Sequence, residues 1–357
     1  MQVAIIAITG NGARIGDTLH RGIPQSRLFV IEKHAAGDAH PFSHGVQALV
    51  DRLWPDYDGF VFIMATGIVV RTIAPLLQAK DRDPAVVVLD DAGRFAVSLL
   101  SGHIGGANAL AKSCAELAGS IPVITTATDA NHLPSFDMLA QENGWRIDDL
   151  SRVKVLNALL LEGKEIAVLD SGDRVKSYFA GKGVLSFHED LDKAVQSGAS
   201  GLLLVTNRVV PPSVDRERTL VLRPLDLCLG IGCNRGTSAS EIESVVSTNL
   251  ERLSLSIRSV KCIATARAKE DEDGLLAFAD QAGIAVVFFD SEQLNDVAVP
   301  SPPSAHAFAA IGARGVAEPA ALLASEGGNL VLEKVKDGNV TLAIARDPRN
   351  TGAAEVP

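Results

Sequence analysis

Cysteine is scarce in this chain of 357 residues, which has only four: Cys114, Cys228, Cys233 and Cys262. No two of them form a C-x-x-C pair, and so sparse a set excludes a disulfide-stapled scaffold. We therefore expect a reducing compartment, and the sequence predicts a cytoplasmic protein.

Long apolar runs are missing as well. The longest, residues 60–70, covers about 11 residues and contains Thr66 and Gly67, whereas a membrane-spanning helix needs about 20. Residues 1–8 lack the basic start of a secretory signal peptide. The sequence thus predicts no membrane segment.

Positive charge is in deficit, with 33 Lys and Arg against 43 Asp and Glu, for a formal net charge of −10. Surfaces that bind DNA or RNA are usually basic, so nucleic acid is not expected as a partner. A small anionic ligand is not excluded, because backbone N–H groups can bind an anion locally.

Aromatic residues make up only 4% of the chain, while hydrophobic residues make up 47% and are mostly Ala, Val, Leu and Ile. Short apolar runs alternate with segments of helical spacing, which predicts parallel sheets with right-handed crossovers. The predicted fold is α/β and multidomain, built of parallel-sheet αβα units with a C-terminal α/β domain that ends in a hairpin. Breaks in the pattern predict three domains, residues 1–133, 134–224 and 225–357.

The densest functional signal is the turn S-G-H-I-G-G-A-N at residues 101–108, here called the histidine turn. Gly102, Gly105 and Gly106 let the backbone approach a ligand closely, and the helix that follows points its N–H groups and positive dipole end at the same space. His103 is the natural proton-transfer group near neutral pH, and Asn108 can orient a carbonyl or a water. The alternative is a tight strand–helix joint with His103 on the surface.

Two further segments follow predicted strands. Thr66, Gly67 and Arg71 begin a helix, where Arg71 can hold a substrate carboxylate through a bidentate pair. The alternative there is an N-cap threonine beside a solvated arginine. Asp91 ends another strand beside Asp90 and is a candidate catalytic carboxylate, because ligands of open parallel sheets lie outside the carboxyl ends of the strands. The alternative, favoured for at least one of the two aspartates, is a plain β-turn Asp-Asp-Ala-Gly.

A later strand leads into Thr125, Thr126, Thr128 and Asp129, which offer hydroxyls and a carboxylate. We expect them at the same edge of the sheet as Asp91, for the same reason. The alternative for Asp129 is a plain helix-capping role.

The second glycine-rich turn is G-I-G-C-N-R-G at residues 230–236, here called the cysteine turn. It lacks the G-x-G-x-x-G spacing of a dinucleotide loop, and its candidate substrate-binding residues are Gly232, Cys233, Asn234, Arg235 and Gly236. A thiol at a helix start is expected to have a lowered pKa, but covalent catalysis by Cys233 needs a base that the sequence does not assign. Backbone binding of an anion is the favoured role.

Two remaining expectations concern an acid and a metal. Glu318 is a candidate catalytic acid, with a carboxylate that serves the helix start as the simpler alternative. No complete set of zinc ligands stands out, so the sequence predicts no protein-held metal.

At these motifs the chain resembles the cobalt-precorrin-5A hydrolase family (CbiG) of anaerobic cobalamin synthesis. The resemblance is strong in the first and third predicted domains and looser in the middle one, and the third alone also resembles a stand-alone protein of the aerobic branch. Its motifs occur in the family's order: residues 60–77 (FVFIMATGIVVRTIAPLL), 80–89 (KDRDPAVVVL), 99–111 (LLSGHIGGANALA), 122–129 (PVITTATD), 230–241 (GIGCNRGTSASE) and 315–322 (GVAEPAAL).

The resemblance implies a substrate and a reaction. The substrate is a cobalt-bearing macrocycle with many carboxylate arms and a δ-lactone, which water opens before a two-carbon fragment leaves as acetaldehyde. No cofactor is implied, since the cobalt belongs to the substrate. In such a reaction His103 is expected to act as base or acid, the N–H groups of Gly105 and Gly106 to bind the oxyanion or a carboxylate, and Arg71 and Arg235 to bind carboxylate arms.

Other readings remain open from the sequence. One is a non-catalytic protein that binds or carries a corrinoid intermediate, and another is a nucleotide-dependent enzyme of Rossmann type, which the poor fingerprint disfavours. Homo-oligomers and transient contacts with neighbouring pathway enzymes are compatible with the sequence.

Overall fold

The computed structural model describes residues 1–79 and 82–349 and divides into two units, Met1–Met138 and Leu139–Pro357. Residues 80 and 81 of the motif at 80–89, and residues 350–357 of the predicted third domain, lie outside the described part. The three predicted domains stay a prediction, because the second unit holds both the middle and the C-terminal sheets.

The first unit alternates strands and helices. Its elements are β1 (Val3–Ala7), α1 (Gly10–Gly22), β2 (Ser26–Ile31), β3 (His40–Phe42), α2 (Gly45–Leu53), β4 (Gly59–Ile63), α3 (Thr66–Ile73), β5 (Ala85–Leu89), β6 (Phe95–Leu100), α4 (Ala107–Ala118), β7 (Ile121–Val123), α5 (Ala127–Ala130) and α6 (Phe136–Glu142).

The strands form one seven-stranded sheet in the order β3-β2-β1-β4-β5-β6-β7. All residues of β1, β4 and β5 are buried, because helices cover both faces of the sheet. Side chains alternate between the faces, so that Val3 and Ile5 enter one apolar core while Ala4 and Ile6 enter the other.

One strand reverses the direction of this sheet. β1 to β5 are parallel, but β6 is antiparallel to β5, pairing Leu100 with Val86 at the start of β5. β7 then runs parallel to β6. The carboxyl ends of β6 and β7 therefore share the edge where β1 to β5 begin, here called the amino edge, and the opposite edge is called the carboxyl edge.

The second unit carries two five-stranded sheets. The elements of the first are β8 (Arg146–Ile147), α7 (Leu150–Leu161), β9 (Ile166–Leu169), α8 (Arg174–Phe179), β10 (Leu185–His188), α9 (Leu191–Gln196), β11 (Gly201–Val205) and β12 (Thr219–Arg223). Its order is β10-β9-β11-β12-β8, with only β8 antiparallel to its neighbour among the described strands.

The other sheet has the order β15-β14-β13-β17-β16, and β16 and β17 form the terminal hairpin that the sequence predicts. Its elements are β13 (Leu227–Cys233), α10 (Ala239–Arg252), β14 (Val260–Ala266), α11 (Asp273–Ala282), β15 (Val286–Phe289), α12 (Ser291–Asn295), α13 (Ala305–Ile311), α14 (Ala317–Ala324), β16 (Asn329–Asp337) and β17 (Val340–Arg346). The predicted multidomain α/β class is confirmed. Within the described ranges, no helix has the length and apolar character needed to cross a membrane.

Candidate active site

The histidine turn joins β6 to α4 at the amino edge, and its glycines are required by the turn itself. A Cβ on Gly105 would lie 2.3 Å from Ser101 Cβ, and one on Gly102 would lie 2.7 Å from Asn108 Oδ1. Gly106 has a φ of +88° in the left-handed region. The glycines thus let the turn fold tightly against its own residues.

Most of the backbone donors of this turn are already bound. The N–H of Gly106 donates to the His103 carbonyl at 2.8 Å, and those of Ala107 and Asn108 donate to the carbonyls of Ser101 and Gly102 at 3.1 and 2.9 Å. The expectation that the Gly106 N–H is open to a substrate is therefore wrong. The Gly105 N–H donates to no acceptor in residues 1–79 and 82–349, so it stays available.

The imidazole of His103 lies between two carboxylates. Its Nδ1 is 3.0 Å from Asp137 Oδ2, and its Nε2 is 3.0 Å from Asp129 Oδ2 and 3.1 Å from the Thr128 hydroxyl. The hydrogen bond with Asp137 raises the pKa of His103 above its usual range, burial opposes the rise, and Asp129 adds to it. His103 is buried, so the alternative of a plain surface histidine is wrong.

Asp129 is held in place by a second set of donors. Asn108 Nδ2 donates to Asp129 Oδ2 at 2.9 Å and to Thr126 Oγ1 at 2.8 Å, and Thr126 Oγ1 itself lies 3.0 Å from Asp129 Oδ2. The Ser98 hydroxyl donates to Asn108 Oδ1 at 2.7 Å. Asn108 is therefore engaged on both sides by protein groups and positions Asp129. Thr125, between β7 and α5, is exposed.

Sequence reasoning missed Asp137. It lies in the first turn of α6, 34 positions after His103 and only 1% exposed, so no short-range spacing connects the two residues. The one available signal was its place beside Phe136 and close to Leu139, both fully buried in the structure, because a carboxylate on an apolar helix face needs a partner.

The carboxyl edge holds the other predicted residues of this unit. Asp91 accepts hydrogen bonds from the Thr9 hydroxyl and from Asn11 Nδ2, the latter at 3.5 Å. It lines an open cavity of about 490 Å³ beside α1 and the end of α4. The expectation that Asp91 shares an edge with Thr125, Thr126 and Asp129 is wrong, because β6 runs antiparallel to β5 and carries the chain back.

α3 also begins at the carboxyl edge. Thr66 and Gly67 are exposed, and Arg71 Nη1 donates to the Gly67 carbonyl at 2.9 Å. Ala65 is the N-cap residue of α3, so the alternative of an N-cap threonine at Thr66 is wrong. The structure does not bring these residues to His103.

In the second unit, the cysteine turn binds a carboxylate of its own chain. The N–H of Gly236 donates to Glu272 Oε1 at 2.6 Å, and Lys269 Nζ pairs with Glu272 Oε2 at 3.0 Å. Although burial opposes it, these two contacts lower the pKa of Glu272. The backbone anion site that the sequence predicts thus exists and holds Glu272.

The side chains of the cysteine turn have partners as well. Arg235 Nη1 pairs with Asp271 Oδ2 at 3.0 Å, with both side chains largely exposed, and Asn234 Nδ2 donates to Asn339 Oδ1 at 2.8 Å. Cys233 ends β13 ahead of the helix, and burial raises its pKa. The expectation of a lowered pKa is wrong, because α10 begins six residues later, at Ala239. Gly232 accepts a hydrogen bond at its carbonyl from the Thr341 hydroxyl.

Glu318 is buried in the first turn of α14. Its Oε1 accepts hydrogen bonds from the Ser301 hydroxyl at 2.8 Å and from the Lys334 N–H on β16 at 3.0 Å. These contacts join α14 to β16, and a catalytic role for Glu318 stays a prediction.

Within the described residues, no group of three or more His, Cys, Asp and Glu side chains is arranged to hold a metal ion. At His103 the reason is geometric. Asp137 and Asp129 bind opposite ring nitrogens, so the three side chains do not converge on one point. The expectation of no protein-held metal remains a prediction.

Comparison with known proteins matches three family models along the chain. The model described as "Cobalamin synthesis G N-terminal" matches residues 48–129, "Cobalamin biosynthesis central region" matches 134–224, and "Cobalamin synthesis G C-terminus" matches 227–345. The first of these ranges contains the histidine turn and ends at Asp129.

Two relatives and one solved structure match nearly the whole chain. A cobalt-precorrin-5A hydrolase of Priestia megaterium is 37% identical and covers 97% of this chain and 95% of the relative. One of Salmonella typhimurium is 31% identical and covers 96% and 97%. The structure, a putative cobalamin biosynthesis protein G homolog from Sulfolobus solfataricus, is 23% identical with a TM-score of 0.35 and covers 97% of both chains.

Proposed function

The chain belongs to the CbiG family of cobalamin-synthesis proteins, and we propose on that premise that it hydrolyses cobalt-precorrin-5A. The observation that carries the proposal is that relatives named for this activity match nearly the full length of the chain. The histidine turn supplies a proton-transfer cluster that suits hydrolysis.

The proposed reaction has two stages. Water adds to the carbonyl carbon of the δ-lactone, the ring C–O bond breaks, and a carboxylic acid and a hydroxyl group result. The hydroxyl then loses its proton and becomes the C=O of acetaldehyde, while the electron pair of the broken C–C bond stays on the macrocycle, which takes up a proton. The bond changes balance without an oxidant or a reductant.

Three requirements of lactone opening have counterparts at the amino edge. A base is needed for the water, a donor for the oxyanion, and a fixed geometry for both. The cluster of His103, Asp129 and Asp137 supplies acid–base groups, and the Gly105 N–H is an available oxyanion donor. Asp91 has no part in this stage, because it lies at the opposite edge of the sheet.

The carboxylate arms of the macrocycle call for cationic and polar partners. Lys112 on α4 is 58% exposed at its side chain and lies beside Asp129. The exposed Thr66, Gly67 and Arg71 stay predicted partners of such arms, and so does the cysteine turn with Arg235. Arg235 must then exchange its surface ion pair with Asp271 for the substrate, which costs little because exposed pairs are weak.

No nucleotide enters the scheme, because its bond changes balance without an oxidant or a reductant, and no protein-held metal enters it, because the cobalt belongs to the substrate. Added nucleotide is expected to leave the rate unchanged, and so is prior dialysis of the protein against a chelator.

The test is an anaerobic incubation of the purified chain with cobalt-precorrin-5A in H₂¹⁸O. We expect catalytic release of acetaldehyde, one per macrocycle, with ¹⁸O in the new carboxylate of the product. Stoichiometric binding of the macrocycle without acetaldehyde would instead identify a carrier of the corrinoid intermediate and contradict the proposal.

A further inference from the structure

The most exposed member of the His103 cluster is a carboxylate. The side chain of Asp129 is 30% exposed, against 8% for His103 and 2% for Asp137. Both ring nitrogens of His103 are engaged by protein groups, Nδ1 by Asp137 and Nε2 by Asp129 and Thr128. A substrate that approaches this cluster therefore meets Asp129 first.

The two oxygens of Asp129 have different surroundings. Oδ2 accepts hydrogen bonds from Asn108 Nδ2 and Thr126 Oγ1 and faces His103 Nε2, all within 3.0 Å. Oδ1 accepts no hydrogen bond from the part of the chain that the structure describes, and Lys112 Nζ lies 3.9 Å from it. One oxygen thus anchors the carboxylate while the other is left to bind water or substrate.

We propose that Asp129 is the catalytic base of the hydrolysis and that His103 and Asp137 are positioning residues behind it, with His103 held as an imidazolium between the two carboxylates. This inference rests on the proposed function. It changes the expectation from the sequence, in which His103 itself moves the proton.

The proton path is short and balanced. Asp129 Oδ1 accepts a proton from a water whose oxygen bonds to the lactone carbonyl carbon. When the ring C–O bond breaks, the leaving alkoxide takes that proton back from Asp129. The carboxylate is then regenerated, and the net change is the addition of one water to the lactone.

A positive charge on His103 explains why a carboxylate lies at each of its two ring nitrogens. An imidazolium donates one N–H to Asp137 and the other to Asp129, whereas a neutral ring has only one N–H for two acceptors. Among the described residues, Asp129 and Asp137 form the ion pairs with the ring, and Lys112 is the cation paired with Asp129. Loss of the ring proton removes one of the two anchors, so the hydrolysis rate is expected to fall at alkaline pH.

The test compares three variants by acetaldehyde release across pH. Asp129→Asn keeps the shape of the side chain but removes the carboxylate that accepts the proton. Its kcat should fall by about 10²- to 10⁴-fold at every pH, with little change in KM. His103→Gln should lose less and no longer show the alkaline fall. Asp137→Asn should keep activity at low pH and move the alkaline fall to lower pH, because the main stabiliser of the imidazolium is gone.

A matched control is Asp17→Asn on α1, an exposed carboxylate paired with Arg21 at 2.7 Å, which should leave the whole profile unchanged. Thermal unfolding checks that each variant is folded, and the imidazole NMR signal of His103 adds a second check in the three aspartate variants. Two results would overturn this inference but leave the proposed function standing, provided that the wild type turns over. One is a kcat for Asp129→Asn within about threefold of the wild-type value. The other is a kcat for His103→Gln as low as that of Asp129→Asn. Wild-type binding without acetaldehyde would overturn the proposed function and the base role together.

Discussion

The histidine turn and the cysteine turn look alike in sequence and differ in what fills them. Each follows a strand, contains several glycines and precedes a helix. In the histidine turn, a side chain of the turn is clamped by carboxylates from α5 and α6, one of which stays partly exposed. In the cysteine turn, the buried carboxylate of Glu272 takes the Gly236 N–H.

The difference shows what a glycine-rich strand–helix turn reveals. The glycines indicate a tight joint in both places, but the chemistry depends on partners that come from elsewhere in the chain. Asp129 and Asp137 convert one joint into a proton-transfer cluster, whereas Glu272 with Lys269 converts the other into an internal ion pair.

Among glycine substitutions in the two turns, the largest effect is expected when a methyl group is added to the histidine turn. In Gly105→Ala the new Cβ would meet Ser101 Cβ at 2.3 Å and the Ser101 carbonyl oxygen at 2.7 Å, so the turn must shift. A shift of about 1 Å near a reacting group costs on the order of 10²-fold in rate, and forced packing costs about 1–3 kcal/mol in the free energy of unfolding. Acetaldehyde release and urea unfolding measure the two effects.

The matched variant in the cysteine turn is Gly236→Ala. No atom lies within 4 Å of the added Cβ there, and only the φ of +77° opposes it, which costs about 1–2 kcal/mol. The rate should then change far less than in Gly105→Ala. Equal losses of kcat in the two variants would remove the distinction between the turns.

A smaller effect is expected in the pH dependence of stability. The pKa of His103 is raised in the folded protein, so its contribution to stability is full below the unfolded value of about 6.5 and is lost as pH rises through the folded value. The Tm of the wild type should therefore fall more steeply than that of His103→Gln between pH 6 and 9. Parallel curves for the two proteins in a calorimeter would show that the ring is not held as a cation.

The smallest effect concerns the thiol of Cys233. Because burial raises its pKa, the thiolate is rarer than in a free cysteine at neutral pH. Alkylation by iodoacetamide at pH 8, followed by peptide mass spectrometry, should be slower at Cys233 than in free cysteine. Alkylation faster than that of free cysteine would restore the idea of an activated thiol in this turn.

Much of the fold follows from the apolar runs. Residues 3–8, 60–64 and 86–89 are short apolar runs without a polar residue, which is typical of buried parallel strands. The structure has β1, β4 and β5 there. Helical spacing in residues 14–21 predicts a helix there. In the structure α1 begins four residues earlier, at Gly10, because the Thr9 hydroxyl accepts a hydrogen bond from the Gly12 N–H and caps the helix.

The reversal at β6 explains why part of the site was misplaced. The sequence presents residues 90–94 as a turn, and five residues are too few for a crossover between parallel strands. That length alone indicates a hairpin, which moves the histidine turn away from Asp91. The pairing of His103 with Asp137 has no comparable signal, because α6 reaches the ring only through the folded chain.

The most direct test compares a variant of Asp129, which lies beside the histidine turn, with a variant of Arg235, which lies in the cysteine turn. Acetaldehyde release from cobalt-precorrin-5A is measured at saturating substrate for Asp129→Asn and for Arg235→Gln. We expect kcat to fall by about 10²-fold or more in Asp129→Asn, and Arg235→Gln to change KM more than kcat. A near-normal kcat in Asp129→Asn together with a collapsed kcat in Arg235→Gln would contradict this expectation.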